Sequence, residues 1–199
     1  MLLEAVNLAA ERGGETVFSN VSFVLRSGEG LVVTGPNGVG KSTLLRTVAG
    51  LLPSVAGSVR FEGDDEFGEV AGACHYLGHQ NAMKPSLTVV ENLGFWQAFF
   101  GNAHMESGEA LDMVGLGDVG HLPFGYLSTG QRRRVAIAKL LVSYRPVWIV
   151  DEPTAGLDRA SEAQFASLMR AHLEDGGMVL AATHHPLGLE GAKELRMGG

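Results

Sequence analysis

The chain has 199 residues, of which 45% are hydrophobic and 19% are charged; this balance excludes a disordered protein and suits a single domain over residues 1–199. Its 22 acidic and 15 basic side chains give a net charge of -7, which disfavours nucleic acid as a partner. The single cysteine, Cys74, excludes an internal disulfide. The N-terminus lacks the basic start and long apolar run of a signal peptide, so we expect a cytosolic location.

The predicted strands fall into two groups. The first thirty residues and the segment from Gly57 to Gly63 predict short strands of a small antiparallel β subdomain. The clearest core strands are Gly30 to Thr34, Val147 to Val150 and Met178 to Ala182. Each is almost continuously apolar, as expected for a strand buried on both faces of a parallel sheet. We therefore predict an α/β fold with functional residues at the ends of these strands.

A glycine-rich segment follows the first core strand and precedes a helical run from Leu44 to Ala49. Its residues are Gly35, Pro36, Asn37, Gly38, Val39, Gly40, Lys41, Ser42 and Thr43. The pattern is that of a phosphate-binding loop, in which backbone N–H groups and the N-terminus of the next helix surround the phosphates. We therefore predict a P-loop NTPase core of the RecA-like type, with Lys41 on the β- and γ-phosphates of ATP and Ser42 on Mg²⁺.

The pattern changes between residues 87 and 127, where helical spacing is broken by glycines and aromatic residues are frequent. We interpret this segment as a helical insert. Its most apolar stretch, Leu93 to Phe100, is shorter than the roughly 20 residues that a membrane-spanning helix needs. The aromatic side chains form helix core or dock a partner, and we expect most of them to be core: Phe95, Trp96, Phe99 and Phe100.

Two adjacent carboxylates end the second core strand. Asp151 closes the apolar run, and Glu152 follows it directly. A pair of carboxylates could simply begin a helix, but their place after a buried strand suits metal binding and water activation better. We therefore expect Asp151 to hold Mg²⁺, directly or through water, and Glu152 to polarise the attacking water.

A short polar segment lies before the second core strand and consists of Leu127, Ser128, Thr129, Gly130 and Gln131. With it, the sequence resembles the ABC ATPases, whose signature is LSGGQ; here Thr129 replaces a glycine. The resemblance implies that this segment binds the γ-phosphate held by a second copy of the chain, in a head-to-tail dimer with ATP between the copies. Ser128 is also placed to cap the helix that follows.

The remaining motifs of the ABC ATPases occur in the expected order. The resemblance makes Gln80 the Q-loop residue, which senses Mg²⁺ and touches the membrane partner, and it places Asp158 in the D-loop. His184 follows the last core strand, as the switch histidine should, and would hold the γ-phosphate in register with Glu152. Such ATPases stack adenine on a residue before the first core strand; here the best match is Arg12, whose guanidinium can stack on a base.

The sequence resembles the haem exporter ATP-binding subunits of bacterial cytochrome c maturation. The resemblance lies in the short length of the chain and in three segments: Tyr76 to Gln80, Leu87 to Leu93 and Gln131 to Val135. The resemblance implies a peripheral subunit on the cytoplasmic face of the inner membrane, bound to integral membrane subunits. Two alternatives stay open: an ABC transporter ATPase with another cargo, and a soluble ABC ATPase of the iron–sulfur assembly type.

Two further clusters invite a functional interpretation. Cys74, His75 and His79 lie close in sequence, but their spacing is not that of a closed metal site, and we do not expect them to bind haem or metal. The three arginines that follow the signature are expected to form a solvated helix face: Arg132, Arg133 and Arg134.

Overall fold

The computed structural model describes residues 1–63 and 65–198, together with all their side chains except that of Asp65. The chain forms two compact units. The described residues of the first belong to Met1–Tyr76, Arg145–Pro153 and Met169–Gly199, and those of the second to Leu77–Tyr144 and Thr154–Leu168. The predicted helical insert therefore falls within the second unit. None of the helices in the described part of the chain is long and apolar enough to cross a membrane.

Three strands form an antiparallel sheet in the first unit, in the order β2-β1-β4. They are β1 (Leu2–Arg12), β2 (Glu15–Arg26) and β4 (Ala56–Glu62). The hairpin from β1 to β2 turns at two glycines, and Arg12 pairs with Glu15 on either side of that turn. This sheet is the antiparallel subdomain that the sequence predicts.

Five strands form the second sheet, in the order β5-β6-β7-β3-β8. They are β3 (Gly30–Thr34), β5 (Cys74–Leu77), β6 (Val147–Asp151), β7 (Met178–Ala182) and β8 (Lys193–Arg196). Strand β3 pairs in parallel with β7 and β8, and β6 pairs in parallel with β7. The three predicted core strands are confirmed, and they are neighbours, so the residues that follow them meet at one edge of the sheet.

The apolar faces of these strands and of α1 (Lys41–Val48) build one hydrophobic core in the first unit. Its fully buried members include Leu3, Leu8, Leu25, Val33, Leu44, Leu45, Ile149 and Leu180. Phe18, from β2, also packs into this core and is 7% exposed. The phosphate-binding loop is therefore joined to a helix that is anchored along its whole buried side.

The other helices are α2 (Val70–Ala73), α3 (Val89–Phe100), α4 (Ser107–Asp112), α5 (Thr129–Ala138) and α6 (Arg159–Glu174), with 3₁₀ turns at Asp65–Phe67, Gly117–Val119 and Phe124–Tyr126. Helices α3 and α5 begin with capping boxes, in which a serine or threonine and a glutamate or glutamine three residues later satisfy each other's backbone N–H groups. These caps fix where both helices begin.

The loop after β5 is tied to the helices of the second unit. Asn92, which is buried in α3, accepts from the N–H of Lys84 at 2.8 Å and donates to its carbonyl at 3.0 Å. The indole of Trp96 donates to the carbonyl of Ala82 at 2.9 Å. Arg133 donates to the carbonyl of Gly78 at 2.6 Å. The segment that carries Gln80 is thus held at several points rather than left as a free loop.

The prediction of a solvated arginine face on α5 is wrong. Arg133 is 5% exposed, and all three guanidinium groups donate to backbone carbonyls. Arg132 binds Gly125 at 2.6 Å, and Arg134 binds Val114 and Gly115. The arginines are therefore structural, because they donate to backbone carbonyl groups of 3₁₀, turn and loop segments.

The expectation that most aromatic side chains of α3 are core is also wrong. Phe95 is 52% exposed and Phe99 is 67% exposed, and their rings stack with centroids 6.1 Å apart. Trp96 and Phe100 are only half-buried. The buried side of the helix is formed by Val89, Asn92 and Leu93, and Phe95 and Phe99 lie on its exposed side.

Lys139 is a buried lysine of the second unit. It is 4% exposed, and its ammonium lies 4.7 Å from the ring centre of Trp96. Burial, aided by the charge of Arg133, lowers the pKa of Lys139 from 10.5 to about 8. Between these pH values the unfolded chain binds more protons than the folded one, so the free energy of unfolding should rise with pH across this window.

We expect Lys139→Met to remove this dependence. At pH 7 the variant should be more stable than the wild type by up to about 3 kcal/mol, and the difference should shrink as the pH rises from 8 to 10. Urea unfolding at several pH values measures it. Lys84→Met, at an exposed lysine of the same unit, is the matched control. Its free energy of unfolding should be close to that of the wild type at every pH. A pH-independent difference for Lys139→Met would contradict the assignment.

Candidate functional site

The glycine-rich loop folds into a shape that other residues cannot adopt easily. Gly35 has a φ of 141°, and a Cβ at this position would lie 2.5 Å from the carbonyl oxygen of Met197. Gly40 has a φ of 101°, and a Cβ there would lie 2.6 Å from Val17. Gly40 also caps α1 without any side-chain acceptor. The first N–H groups of α1 therefore remain able to bind an anion, as a phosphate-binding loop requires.

Lys41, the first residue of α1, points its ammonium group back across this loop. Its Nζ donates to the carbonyls of Gly35 at 2.8 Å and Pro36 at 3.1 Å, and lies 3.0 Å from Nε2 of His184. A lysine ammonium has three donors and no acceptor, so Nε2 of His184 accepts the third hydrogen bond. The structure thus brings the loop lysine and the histidine after β7 together.

Ser42 and Asp151 also meet. The Ser42 hydroxyl donates to Oδ1 of Asp151 at 3.0 Å, while the hydroxyl of Tyr76 donates to Oδ2 at 3.3 Å. Arg46 donates to the same Tyr76 hydroxyl at 3.3 Å. Burial raises the pKa of Tyr76, which keeps the phenol neutral, and the hydrogen bond that Arg46 donates to Tyr76 raises the pKa of Arg46, which keeps it charged.

Ser42 and Asp151 suit a magnesium ion. A serine hydroxyl and an aspartate carboxylate are oxygen donors, the ligand class that Mg²⁺ prefers, and these two lie within direct contact. Asp151 is 5% exposed, so its charge is well shielded from water and attracts a cation more strongly. The residues present therefore fit Mg²⁺ beside the phosphate-binding loop.

Glu152 occupies a strained backbone position directly after β6. Its φ is 44°, which is uncommon for a residue with a side chain, and its N–H donates to the carbonyl of Ala182 at 2.8 Å. Its Oε1 lies 3.7 Å from Nε2 of His184. The end of β7 thus fixes the backbone of Glu152 while its carboxylate, 35% exposed, faces the histidine.

These side chains line one cleft with a volume of about 540 Å³. Its wall holds Asn37, Gly38, Gly40, Lys41, Ser42, Thr43, Asp151, Glu152 and His184, together with Arg12, Glu15, Thr16 and Val17 of the β1–β2 hairpin. Arg12 is exposed, so its guanidinium is accessible to a ligand. The structure therefore brings the candidate adenine contact to the same cleft as the candidate phosphate contacts.

The other predicted site residues lie in the second unit. Gln80 is exposed and follows the end of β5. Ser128 caps α5: its hydroxyl accepts from the N–H of Gln131 at 3.2 Å, and the Gln131 side chain accepts from the N–H of Ser128 at 2.9 Å. Leu127, just before the cap, is buried. The predicted capping role of Ser128 is confirmed.

Asp158 also caps a helix. Its carboxylate accepts from the N–H of Ser161 at 2.8 Å at the start of α6, and this hydrogen bond lowers the pKa of Asp158. The signature lies near the segment before Asp158, because a Cβ on Gly130 would lie 3.2 Å from the carbonyl of Gly156. The side chain at position 129 has room beside Gly156, since the Thr129 methyl would lie 3.6 Å from a Cβ there.

Sequence reasoning missed two members of this site, Tyr76 and Arg46. Neither belongs to a chemistry-bearing motif, and their relevance comes from tertiary structure: β5 lies next to β6, and Arg46 lies one helical turn after Ser42. The pattern of apolar and polar residues gave no signal for either.

Among the described residues, no group of three or more histidine, cysteine, aspartate or glutamate side chains is arranged to hold a metal ion.

Comparison with known proteins identifies the family. The sequence profile of the family described as "ABC transporter" matches residues 18–155, more than half of the chain. The chain is 67% identical to the cytochrome c biogenesis ATP-binding export protein CcmA of Chelativorans sp. (strain BNC1), over 100% of this chain and 98% of the relative. It is 56% identical to the protein of the same name from Rhizobium meliloti (strain 1021), over 100% and 99%.

Solved structures share the fold. An ABC transporter ATP-binding protein from Pyrococcus furiosus superimposes with a TM-score of 0.83 at 22% identity, over 99% of this chain and 98% of that chain. A dimeric bacterial ABC transporter cassette, MJ0796, gives 0.78 at 27% identity over 92% and 88%, and the same cassette was solved with ADP and phosphate. The chain therefore belongs to the ABC transporter family and, within it, to the cytochrome c biogenesis ATP-binding export proteins.

Proposed function

We propose that this ATP-hydrolysing ABC subunit drives haem export or haem handling in c-type cytochrome biogenesis, and that residues 1–199 act as a single ABC ATPase domain. The observation that carries the proposal is the cleft in which the loop lysine, the serine–aspartate pair, Glu152 and His184 converge. Full-length relatives at 56–68% identity that are named for cytochrome c biogenesis support the biological role.

We assign ATP to the cleft with its phosphates on the loop and its base near Arg12. Backbone N–H groups of the loop and of α1 bind the phosphates, and Lys41 exchanges its present acceptors for β- and γ-phosphate oxygens. Ser42 and Asp151 would hold Mg²⁺. When bound, Mg²⁺ neutralises negative charge on the phosphate oxygens.

In the proposed mechanism, Glu152 accepts a hydrogen bond from the attacking water and orients it toward the γ-phosphate. His184 turns from Lys41 to the γ-phosphate and keeps Glu152 in register, since its Nε2 lies close to both side chains. Phosphoryl transfer needs positioning and charge neutralisation more than covalent help, so these contacts suffice for a hydrolase.

We propose that the active form is a head-to-tail dimer with ATP between two copies. In it the segment from Leu127 to Gln131 would bind the γ-phosphate of the opposite copy, and Asp158 would lie at the dimer contact. The N–H groups at the start of α5 support this role, because a helix N-terminus attracts anions. The dimeric state of the related cassette MJ0796 supports it as well.

We further propose that the subunit is peripheral, on the cytoplasmic face of the bacterial inner membrane, and is bound there to integral membrane subunits. The exposed aromatic surface of α3, formed by Phe95 and Phe99, supports a protein partner. Exposed aromatic pairs of this kind are common anchors of protein interfaces.

Membrane fractionation of the native protein tests this role. We expect the chain to sediment with membranes and, after mild detergent, to co-purify with an integral membrane protein. Phe95→Ser combined with Phe99→Ser should at least halve this co-purification while ATP binding is kept. Val6→Ser, at an exposed apolar residue of β1, is the control.

A native protein that stays soluble and co-purifies with no integral membrane protein would instead favour a soluble ABC ATPase of the iron–sulfur assembly type. Co-purification with a permease and a periplasmic binding protein would favour an importer with another cargo. Either result would overturn the proposed biological role.

A further inference from the structure

Asp151 is held at both carboxylate oxygens. Ser42 donates to Oδ1 at 3.0 Å, and the hydroxyl of Tyr76, from the neighbouring strand β5, donates to Oδ2 at 3.3 Å. The Tyr76 hydroxyl has its own anchor, because Nε of Arg46 donates to it at 3.3 Å. Arg46, Tyr76, Asp151 and Ser42 thus form one continuous chain of hydrogen bonds.

Both ends of this chain belong to the same helix. Ser42 and Arg46 lie one turn apart on α1, so they face the same side of it. Between them, Tyr76 and Asp151 come from adjacent strands of the parallel sheet. Helix α1 therefore acts on both oxygens of the Asp151 carboxylate: Ser42 binds Oδ1 directly, and Arg46 acts on Oδ2 through the Tyr76 hydroxyl.

The second hydrogen bond, from Tyr76 to Oδ2, has a physical effect on the carboxylate of Asp151. The terminal torsion of an aspartate side chain is broad and roughly two-fold, so one hydrogen bond at Oδ1 does not by itself define the plane of the carboxylate. A donor on Oδ2 fixes the plane. In metal sites, outer partners of this kind orient the ligand and tune its affinity for the ion.

We propose that Tyr76, oriented by Arg46, is a positioning residue for magnesium: it fixes the Asp151 carboxylate through Oδ2 and so keeps Oδ1 directed to the cation that Ser42 shares. This inference rests on the proposed function, because it needs the Mg²⁺–ATP site. It adds to that site two residues that do not touch the nucleotide or the ion.

The Tyr76→Phe variant tests the proposal, since it removes only the hydroxyl and keeps the ring that fills the space. Mn²⁺, which electron paramagnetic resonance detects directly when free, replaces Mg²⁺ as the probe, in the presence of a saturating non-hydrolysable ATP analogue. We expect the dissociation constant of Mn²⁺ to rise about 10-fold, the lower end of the effect of losing an outer metal-site partner. Affinity for the analogue in excess chelator should stay within about twofold, because no phosphate contact is lost.

Two further variants complete the design. Tyr126→Phe removes the same hydroxyl from a side chain that is 81% exposed, and it should leave Mn²⁺ binding unchanged. Arg46→Gln removes the group that orients Tyr76 and should raise the Mn²⁺ dissociation constant about threefold, a smaller effect in the same direction. Thermal unfolding without metal checks that each variant is folded.

Unchanged Mn²⁺ affinity in folded Tyr76→Phe overturns the proposal. An equal loss of analogue binding with and without metal also overturns the proposal, because Tyr76 would then support the structure of the cleft as a whole rather than the metal ligand. If Tyr76→Phe does not fold, unchanged Mn²⁺ affinity in Arg46→Gln overturns the proposal, and a threefold rise supports it. Failure of the wild type to bind any nucleotide is a different result, because it would overturn the proposed function itself.

Discussion

Glu152→Gln is expected to lower the rate of ATP hydrolysis by about 10²–10⁴-fold while ATP still binds. The amide has the shape of the carboxylate but cannot polarise the attacking water. Its backbone anchor, the N–H bond to the carbonyl of Ala182, does not involve the side chain, so the local fold should survive. ATP affinity should be kept because the phosphate contacts come from the loop and from Lys41.

The same variant should accumulate a dimer that depends on ATP, because in the proposed head-to-tail dimer hydrolysis would be the step that separates the two copies. Phosphate release measures turnover, and size-exclusion chromatography with and without ATP measures the dimer. Glu62→Gln changes an exposed carboxylate at the end of β4 and should turn over normally. Normal turnover in Glu152→Gln would remove Glu152 from the proposed mechanism.

Lys41→Met is expected to weaken ATP binding by about 100-fold, equivalent to about 3 kcal/mol. Methionine keeps most of the length of the side chain but has no charge. In the folded protein the ammonium makes hydrogen bonds to the carbonyls of Gly35 and Pro36, so it already lies against the loop that we propose to bind the phosphates. Loss of a charged donor at this position removes both attraction and orientation.

Calorimetric titration with ATP and Mg²⁺ measures this loss. Lys193→Met is the matched control in the same unit, because Lys193 pairs with Glu29 at 2.6 Å on the exposed end of β8 and does not line the cleft. Its ATP affinity should equal that of the wild type. An ATP affinity within threefold of the wild type in Lys41→Met would contradict the role assigned to the loop lysine.

Most of the first unit could be predicted because its signals are local. The runs of β3, β6 and β7 are continuously apolar, and a strand with that pattern must be buried on both faces. The loop from Gly35 to Gly40 needs backbone angles that favour glycine, so the spacing of its glycines predicts its conformation. Parallel pairing then brings the residues after the strands to one edge without further information.

The second unit was less predictable, because there the decisive contacts are between distant residues. Three consecutive arginines look solvated on a helix, yet each donates to carbonyls in segments whose irregular path the sequence does not reveal. Phe95 and Phe99 look like core in an apolar helix, but they lie on its exposed side, away from the buried Val89, Asn92 and Leu93. Tyr76 is part of the candidate site only because β5 lies beside β6, an adjacency that no local pattern encodes.

The contact between Lys41 and His184 has a consequence for the order of events at the cleft. All three donors of the Lys41 ammonium have protein acceptors, so in the proposed site a phosphate oxygen would bind Lys41 by replacing one of them. Where a phosphate oxygen replaces Nε2 of His184 as the acceptor, that nitrogen would be released in the same step. A base or nucleoside without phosphate offers nothing to exchange. In the proposed mechanism, binding of the triphosphate would thus free His184 to contact the γ-phosphate, and a ligand without phosphates would leave His184 on Lys41.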